Sequence, residues 1–250
     1  MLTFRNVSFQ YDEDDVAMFD GLSFQVERGE FVSVIGASGC GKSTILRLTN
    51  RSLTPSAGEI LVNGQDIRET RPACGYMPQS DLLFPWLTAA ENVALPLKIR
   101  GTGKKDRLAR ADELLGRVGL RDVKKKYPRE LSGGMRQRVA FARTLAAEEP
   151  LLLLDEPFSA LDSITRMSMQ EWLREQWLET DLTILFVTHD VEEALFLSQK
   201  VLVITGHPGK EAEVIEVPLP RERTREMLAE PALQELKTQL IGRLRKEPEL

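Results

Sequence analysis

A chain of 250 residues with 42% hydrophobic and 28% charged side chains sits close to ordinary globular values and can bury a core of normal size. Its net charge of −5 argues against a general nucleic-acid coat, which needs a basic surface. Two cysteines, Cys40 and Cys74, make no disulfide framework, and no apolar run approaches the ~20 residues of a membrane span.

The first twelve residues lack a basic region followed by an apolar stretch and do not read as a secretion signal. Leu2, Phe4, Val7 and Phe9 alternate imperfectly and predict an opening strand. A second strand is predicted over 22–26, with Leu22, Phe24 and Val26 on one face. Residues 31–35 are apolar, partly β-branched and stop at Gly36, as a buried strand does, and a helix follows over 43–50. A short strand over 59–62 ends at the turn pair Asn63-Gly64.

From 88 to 119 the pattern favours helix, broken at Pro96 and across Gly101-Thr102-Gly103. A further helix is expected from Ser132 to Ala147. Residues 151–154, four leucines, suit a central parallel strand apolar on both faces. Helix (162–178), strand (183–187), helix (191–198) and strand (201–204) follow. The expectation is one domain: an α/β core over 1–80 and 150–205, a mostly helical insert over 81–149, and an extension over 206–250. In that extension Val214, Ile215 and Val217 predict a small strand. Leu228, Leu233, Leu236, Leu240 and Leu244 predict an amphipathic helix, either a cap on the core or an extra dimer contact.

Gly36-Ala37-Ser38-Gly39-Cys40-Gly41-Lys42-Ser43-Thr44 fits the phosphate-loop pattern and lies between a predicted strand and helix, the context that motif requires. Its glycines let backbone amides turn toward one anion, and the following helix N-terminus adds positive potential. Lys42 would reach the terminal phosphates, and the Ser43 hydroxyl would ligate Mg²⁺. Asp155, at the end of the leucine strand, suits a carboxylate near that ion. Glu156, one residue on, can face the attacking water as its orienting group or general base. In Leu131-Ser132-Gly133-Gly134-Met135-Arg136-Gln137, Ser132 can cap a helix while two glycines expose its first amides, a second anion site. A two-fold dimer reconciles two such sites with one Lys42 and one Asp155 per chain.

These segments, with Gln79, Ser159-Ala160-Leu161-Asp162 and His189 in the same order, resemble the ATP-binding-cassette (ABC) ATPases over roughly residues 2–205. The resemblance implies a P-loop NTPase core of ABC type with an antiparallel β subdomain, and a head-to-tail homodimer that closes on two ATP molecules. It implies that Tyr11 stacks on adenine, although an aromatic near a strand end is otherwise core. Gln79 would touch Mg²⁺ and the water while sensing the partner. His189 would contact the γ-phosphate and hold Glu156. Asp162 would line the dimer seam, or else cap a helix. One departure is Met77-Pro78, where an apolar-aromatic pair is commoner; Pro78 stiffens the backbone ahead of Gln79.

Leu82-Leu83-Phe84-Pro85-Trp86-Leu87-Thr88 is an apolar, aromatic loop, either tucked under the insert or a docking surface. The family resemblance places its groove for a short helix of the membrane subunit here. Phe84 to Thr88 with Glu91-Asn92-Val93, and Gly206-His207-Pro208-Gly209-Lys210 with the segment to Arg221, look like the nitrate/sulfonate/taurine subgroup of importers. That resemblance implies transmembrane permease subunits, an extracytoplasmic solute-binding protein, no nucleic acid, and a peripheral place on the cytoplasmic face of the membrane. ABC ATPases acting on DNA or ribosomes usually carry a coiled-coil insertion, zinc-binding cysteines or a second cassette, and none is in the sequence. An exporter or lipid-extraction ATPase would share the motor and differ in its partner.

Overall fold

The computed structural model describes residues 1–13, 15–69, 73–206 and 211–245. The expected Gly206 to Lys210 segment therefore lies, apart from Gly206, outside the described residues. In chain order the elements are β1 (Leu2–Phe9), β2 (Phe19–Val26), β3 (Phe31–Gly36), α1 (Lys42–Thr49), β4 (Ala57–Val62), β5 (Gln65–Asp66) and β6 (Cys74–Met77). Next come α2 (Ala89–Val93), α3 (Leu95–Ile99), α4 (Lys104–Arg117), α5 (Gly133–Leu145), β7 (Leu151–Asp155) and α6 (Ser163–Glu179). The chain closes with β8 (Thr183–Val187), α7 (Val191–Leu197), β9 (Lys200–Thr205), β10 (Glu211–Glu216) and α8 (Pro231–Arg245). It forms two compact units, Met1–Ala73 with Arg174–Leu250, and Cys74–Leu173.

The first unit holds an antiparallel sheet of order β2-β1-β4-β5. The imperfect alternation in β1 has a backbone cause. Asn6 has a φ of 46°, and the pairing with β2 shifts register between Phe4 and Val7. That bulge moves the inward face from even to odd positions, so Leu2, Phe4, Val7 and Phe9 are all buried. β2 starts three residues earlier than its sequence pattern suggests, because Phe19 pairs with Phe9 and is fully buried.

In the same unit, β3 lies between β9 and β8, parallel to both, and β10 runs antiparallel to β9. All six residues of β3 are buried, as expected of a strand covered on both faces. Trp177 is fully buried, packs edge-on against Phe31 at 5.8 Å and donates to Gly29 O at 3.0 Å. α8 buries Leu233 and Leu240 and lies against α7 and β9, so the tail helix caps this unit. Leu228 belongs to the short 3-10 turn before it rather than to the helix.

The second unit contains β6 parallel to β7 and the helices α2 to α5. β6 is a strand that gave no sequence signal. It is four residues long, and its Gly75 sits where an added Cβ would lie 2.9 Å from Leu152 Cδ2. The helical break falls at Ala94, between α2 and α3, ahead of Pro96. Pro96 occupies the first turn of α3, where its missing N–H costs nothing. Phe141 of α5 packs edge-on against Phe158 and Trp172.

Candidate active site

The first unit supplies the phosphate loop. Gly36 ends β3 at a place no other residue fits, since a Cβ there would lie 2.4 Å from Cys40 Sγ and 2.7 Å from Ile204 O. Gly41 has a φ of 98° and precedes α1 with no side-chain cap, so the cap position places no side chain over the start of that helix. Between them Ala37 is half-buried, Ser38 and Gly39 are exposed, and Cys40 is buried. The Lys42 ammonium folds back under the loop and donates to Gly36 O at 2.8 Å and Ala37 O at 2.7 Å. Lys42 is only 9% exposed, so a cation is held within the curve of a glycine loop. Such a cradle fits a chain of phosphates.

Behind the loop, Thr44 is buried and its hydroxyl bonds the Tyr11 hydroxyl at 2.8 Å, while Ser43 is half-buried. Tyr11 is half-buried and meets Phe9 edge-on at 4.8 Å, so it borders the loop with its ring partly open to solvent. His189 is exposed in the β8–α7 turn, which Thr188 fixes. Thr188 Oγ1 donates to buried Glu193 and accepts from Asp190 N at 3.0 Å, while Thr188 N donates to Val34 O. Asp190 then caps α7, accepting from Glu192 N and Glu193 N.

In the second unit, β7 is buried throughout and ends in Asp155, 3% exposed. The next residue, Glu156, has a φ of 47°, rare outside glycine, which turns it off the strand line. Exposed Gln79 donates from Nε2 to Glu156 Oε2 at 3.4 Å. Ser132 caps α5, its Oγ accepting from Met135 N at 3.3 Å, and Gly133 and Gly134 follow with no acidic residue in the first turn. Gln137 is buried, and both ends of its amide are used. Nε2 donates to Glu156 O at 3.1 Å and Oε1 accepts from Ala160 N at 2.9 Å. Its amide thereby ties the 156–160 turn to α5. Asp162 is exposed and accepts from Thr165 N at 3.0 Å; the Thr165 hydroxyl, and then that N–H, hold its carboxyl below the usual range. It is a helix cap in this unit.

Three side chains to which the sequence analysis gave no individual role organise the rest. Arg136 pairs with Asp81 at 2.9 Å, and Arg143 donates to Asp81 O and Leu82 O. Asn92, fully buried, accepts from Phe84 N and donates to Phe84 O, Leu87 O and Thr88 O. They present the 82–86 loop outward, with Leu82 64% and Trp86 68% exposed. The apolar loop is thus not tucked away. Isolated polar residues of this kind have no periodicity to reveal them.

A family model described as ABC transporter matches residues 19–159. The formylaminopyrimidine import ATP-binding protein ThiZ of Halalkalibacterium halodurans is 45% identical over 218 residues, covering 87% of this chain and 85% of that protein. The aliphatic sulfonates import ATP-binding protein SsuB of Bacillus cereus is 43% identical over 217 residues, 86% of this chain and 85% of that one. Among solved structures, the dimeric post-hydrolysis state of the ATP-binding cassette MJ0796 bound to ADP and Pi is similar, with a TM-score of 0.81 and 30% identity. It covers 88% of this chain and 100% of that one. With its glycine cradle, buried Lys42 and Asp155-Glu156 turn, this chain belongs to the ABC transporter family, as an ATP-binding and ATP-hydrolysing cassette.

Proposed function

We propose that this chain energises an importer of small organic solutes, of the kind the names of its relatives describe: aliphatic sulfonates or formylaminopyrimidine. Two copies would pair head to tail, each lending Ser132, Gly133 and Gly134 to the nucleotide on the other's phosphate loop, with Asp162 along the seam. The observation that carries the ATPase reading is Lys42, held by Gly36 O and Ala37 O inside the glycine cradle.

The roles we assign follow from each residue's chemistry. Amides of 36–44 bind the phosphates and Lys42 neutralises their terminal charge. Tyr11 carries adenine. Ser43, Gln79 and Asp155 offer the hard oxygen ligands that would hold Mg²⁺, which would supply positive charge against that of the phosphates. Glu156 accepts the proton of the attacking water, His189 meets the γ-phosphate, and Gln79 stays beside Glu156 as the reporter of closure.

The outward-facing Leu82, Phe84 and Trp86 form the surface we assign to a cytoplasmic helix of the permease. Through it the chain would sit at the cytoplasmic face of the membrane, and a solute-binding protein would act only through the permease. Among the described residues no helix is long and apolar enough to cross a membrane. Co-purification from native membranes in mild detergent, read by mass spectrometry, tests this. A permease should be recovered, and its loss on Trp86→Ser would tie it to the loop. Recovery of ribosomes or nucleic acid instead would overturn the reading.

A further inference from the structure

The tip between α3 and α4 has a composition that neither nucleotide chemistry nor permease coupling explains. Residues 95–129 carry twelve Lys and Arg against four Asp and Glu, whereas the whole chain carries 33 against 38. Within the tip, Lys98, Arg100, Lys104 and Lys105 occur over eight residues with no carboxylate among them. Ile99 stands between two of these cations and is 79% exposed, the most open large apolar side chain among the described residues. Leaving it in water, flanked by charge, stabilises nothing in the folded chain itself.

Behind the tip lies a cleft of about 90 Å³, lined by Leu87, Glu91, Leu95, Lys98, Lys104 and Arg107. Its one carboxylate, Glu91, is engaged by the Thr88 N–H and hydroxyl, both at 2.9 Å. Arg107 donates to Thr102 O, while among the described residues Lys98 and Lys104 form no ion pair within salt-bridge distance. On the other side of α2, Lys124 O and Lys126 O accept from Ala90 N and Ala89 N, which brings the Lys124-Lys125-Lys126 run alongside. Lys124 is paired with Asp112. Lys125 and Lys126 are exposed.

We infer that this tip docks on the membrane itself, with Ile99 entering the interface and Lys98, Lys104 and Lys105 on anionic phospholipid headgroups. The cleft is of a size for one phosphate group, and its apolar floor at Leu87 and Leu95 suits the glycerol end of that headgroup. Arg100 is paired with Glu149, but an apolar residue beside Lys98 and near Lys104 and Lys105 matches an anionic bilayer surface in both charge and polarity. Cytoplasmic loops of membrane proteins are themselves rich in Lys and Arg, so they are a poor electrostatic partner for this face. The inference rests on the importer reading only for the presence of a membrane nearby.

The test uses the purified full chain and sedimentation with vesicles. Vesicles of equal parts phosphatidylglycerol and phosphatidylcholine should bind it, and pure phosphatidylcholine vesicles should not. Binding should fall as chloride is raised, and weaken at least about tenfold in a Lys98→Gln/Lys104→Gln/Lys105→Gln variant. Ile99→Ser should also weaken binding, and both variants should keep the wild-type melting temperature and basal ATP hydrolysis. Equal binding to neutral vesicles, or unchanged binding by the triple variant, would overturn the inference. So would competition by inorganic phosphate beyond that of chloride at equal ionic strength, which would mark a free-anion site. Absence of ATP hydrolysis in the wild type would instead defeat the ATPase reading and leave the vesicle result standing.

Discussion

Asn92 holds Phe84 by both backbone atoms, accepting from its N–H at 2.8 Å and donating to its carbonyl at 3.2 Å. The same amide group also reaches Leu87 O and Thr88 O, so one buried side chain sets the path of the exposed aromatic loop. Phe84 and Trp86, with ring centroids 5.3 Å apart, are thereby presented as a unit. A preorganised loop loses less entropy on docking than a floppy one.

Asn92→Ala should therefore cost stability as well as coupling. It takes the side-chain partner from the Phe84 amide and the Leu87 carbonyl, while Phe84 O and Thr88 O keep the backbone donors Leu87 N and Asn92 N, a loss of about 2–3 kcal/mol. The melting temperature should drop by roughly 5–10 °C, measured by thermal denaturation. An unchanged melting temperature would show that the clasp contributes nothing.

Lys42→Ala removes the cation under the phosphate loop while leaving Gly36 and Gly41 in place. Nucleotide affinity should fall about 10- to 100-fold, the equivalent of one charge-assisted hydrogen bond. Titration with a fluorescent ATP analogue reads this directly, and wild-type affinity would contradict the loop's assignment.

Glu156→Gln keeps the shape of the side chain at its left-handed backbone position but removes the proton acceptor. ATP binding should persist, a dimer should accumulate in size-exclusion chromatography with ATP, and turnover should fall at least about a hundredfold. Full activity in this variant would remove Glu156 from its role.

Glu91 provides a pH signature. The Thr88 backbone N–H, and then its hydroxyl, hold the Glu91 carboxyl below its ordinary value of 4.5. A depressed folded-state value means the contribution is fully present above 4.5 and is lost as pH falls through the lower folded value. The melting-temperature gap between wild type and Glu91→Gln should thus be constant near neutrality and close as pH is taken below 4.5. A gap that widens in acid would contradict the capping-box origin of the shift.

Much of this protein was legible in local chemistry. The glycine spacing before Lys42, the leucine run into Asp155-Glu156 and the Ser132 cap each declare themselves within a few residues, because turn geometry, burial and capping are short-range demands. Strand β8 and helix α6 were found the same way, from unbroken apolar or periodic runs. What sequence alone left open were features closed by distant partners. The bulge at Asn6 reverses an alternation, β6 is a strand only because β7 pairs with it, and the Gln137 amide bonds Glu156 O and Ala160 N some twenty residues away. The exposure of Leu82, Trp86 and Ile99 belongs to this second group. An apolar residue carries the same pattern whether it is covered or not, and only the packed chain decides which of them remain in water.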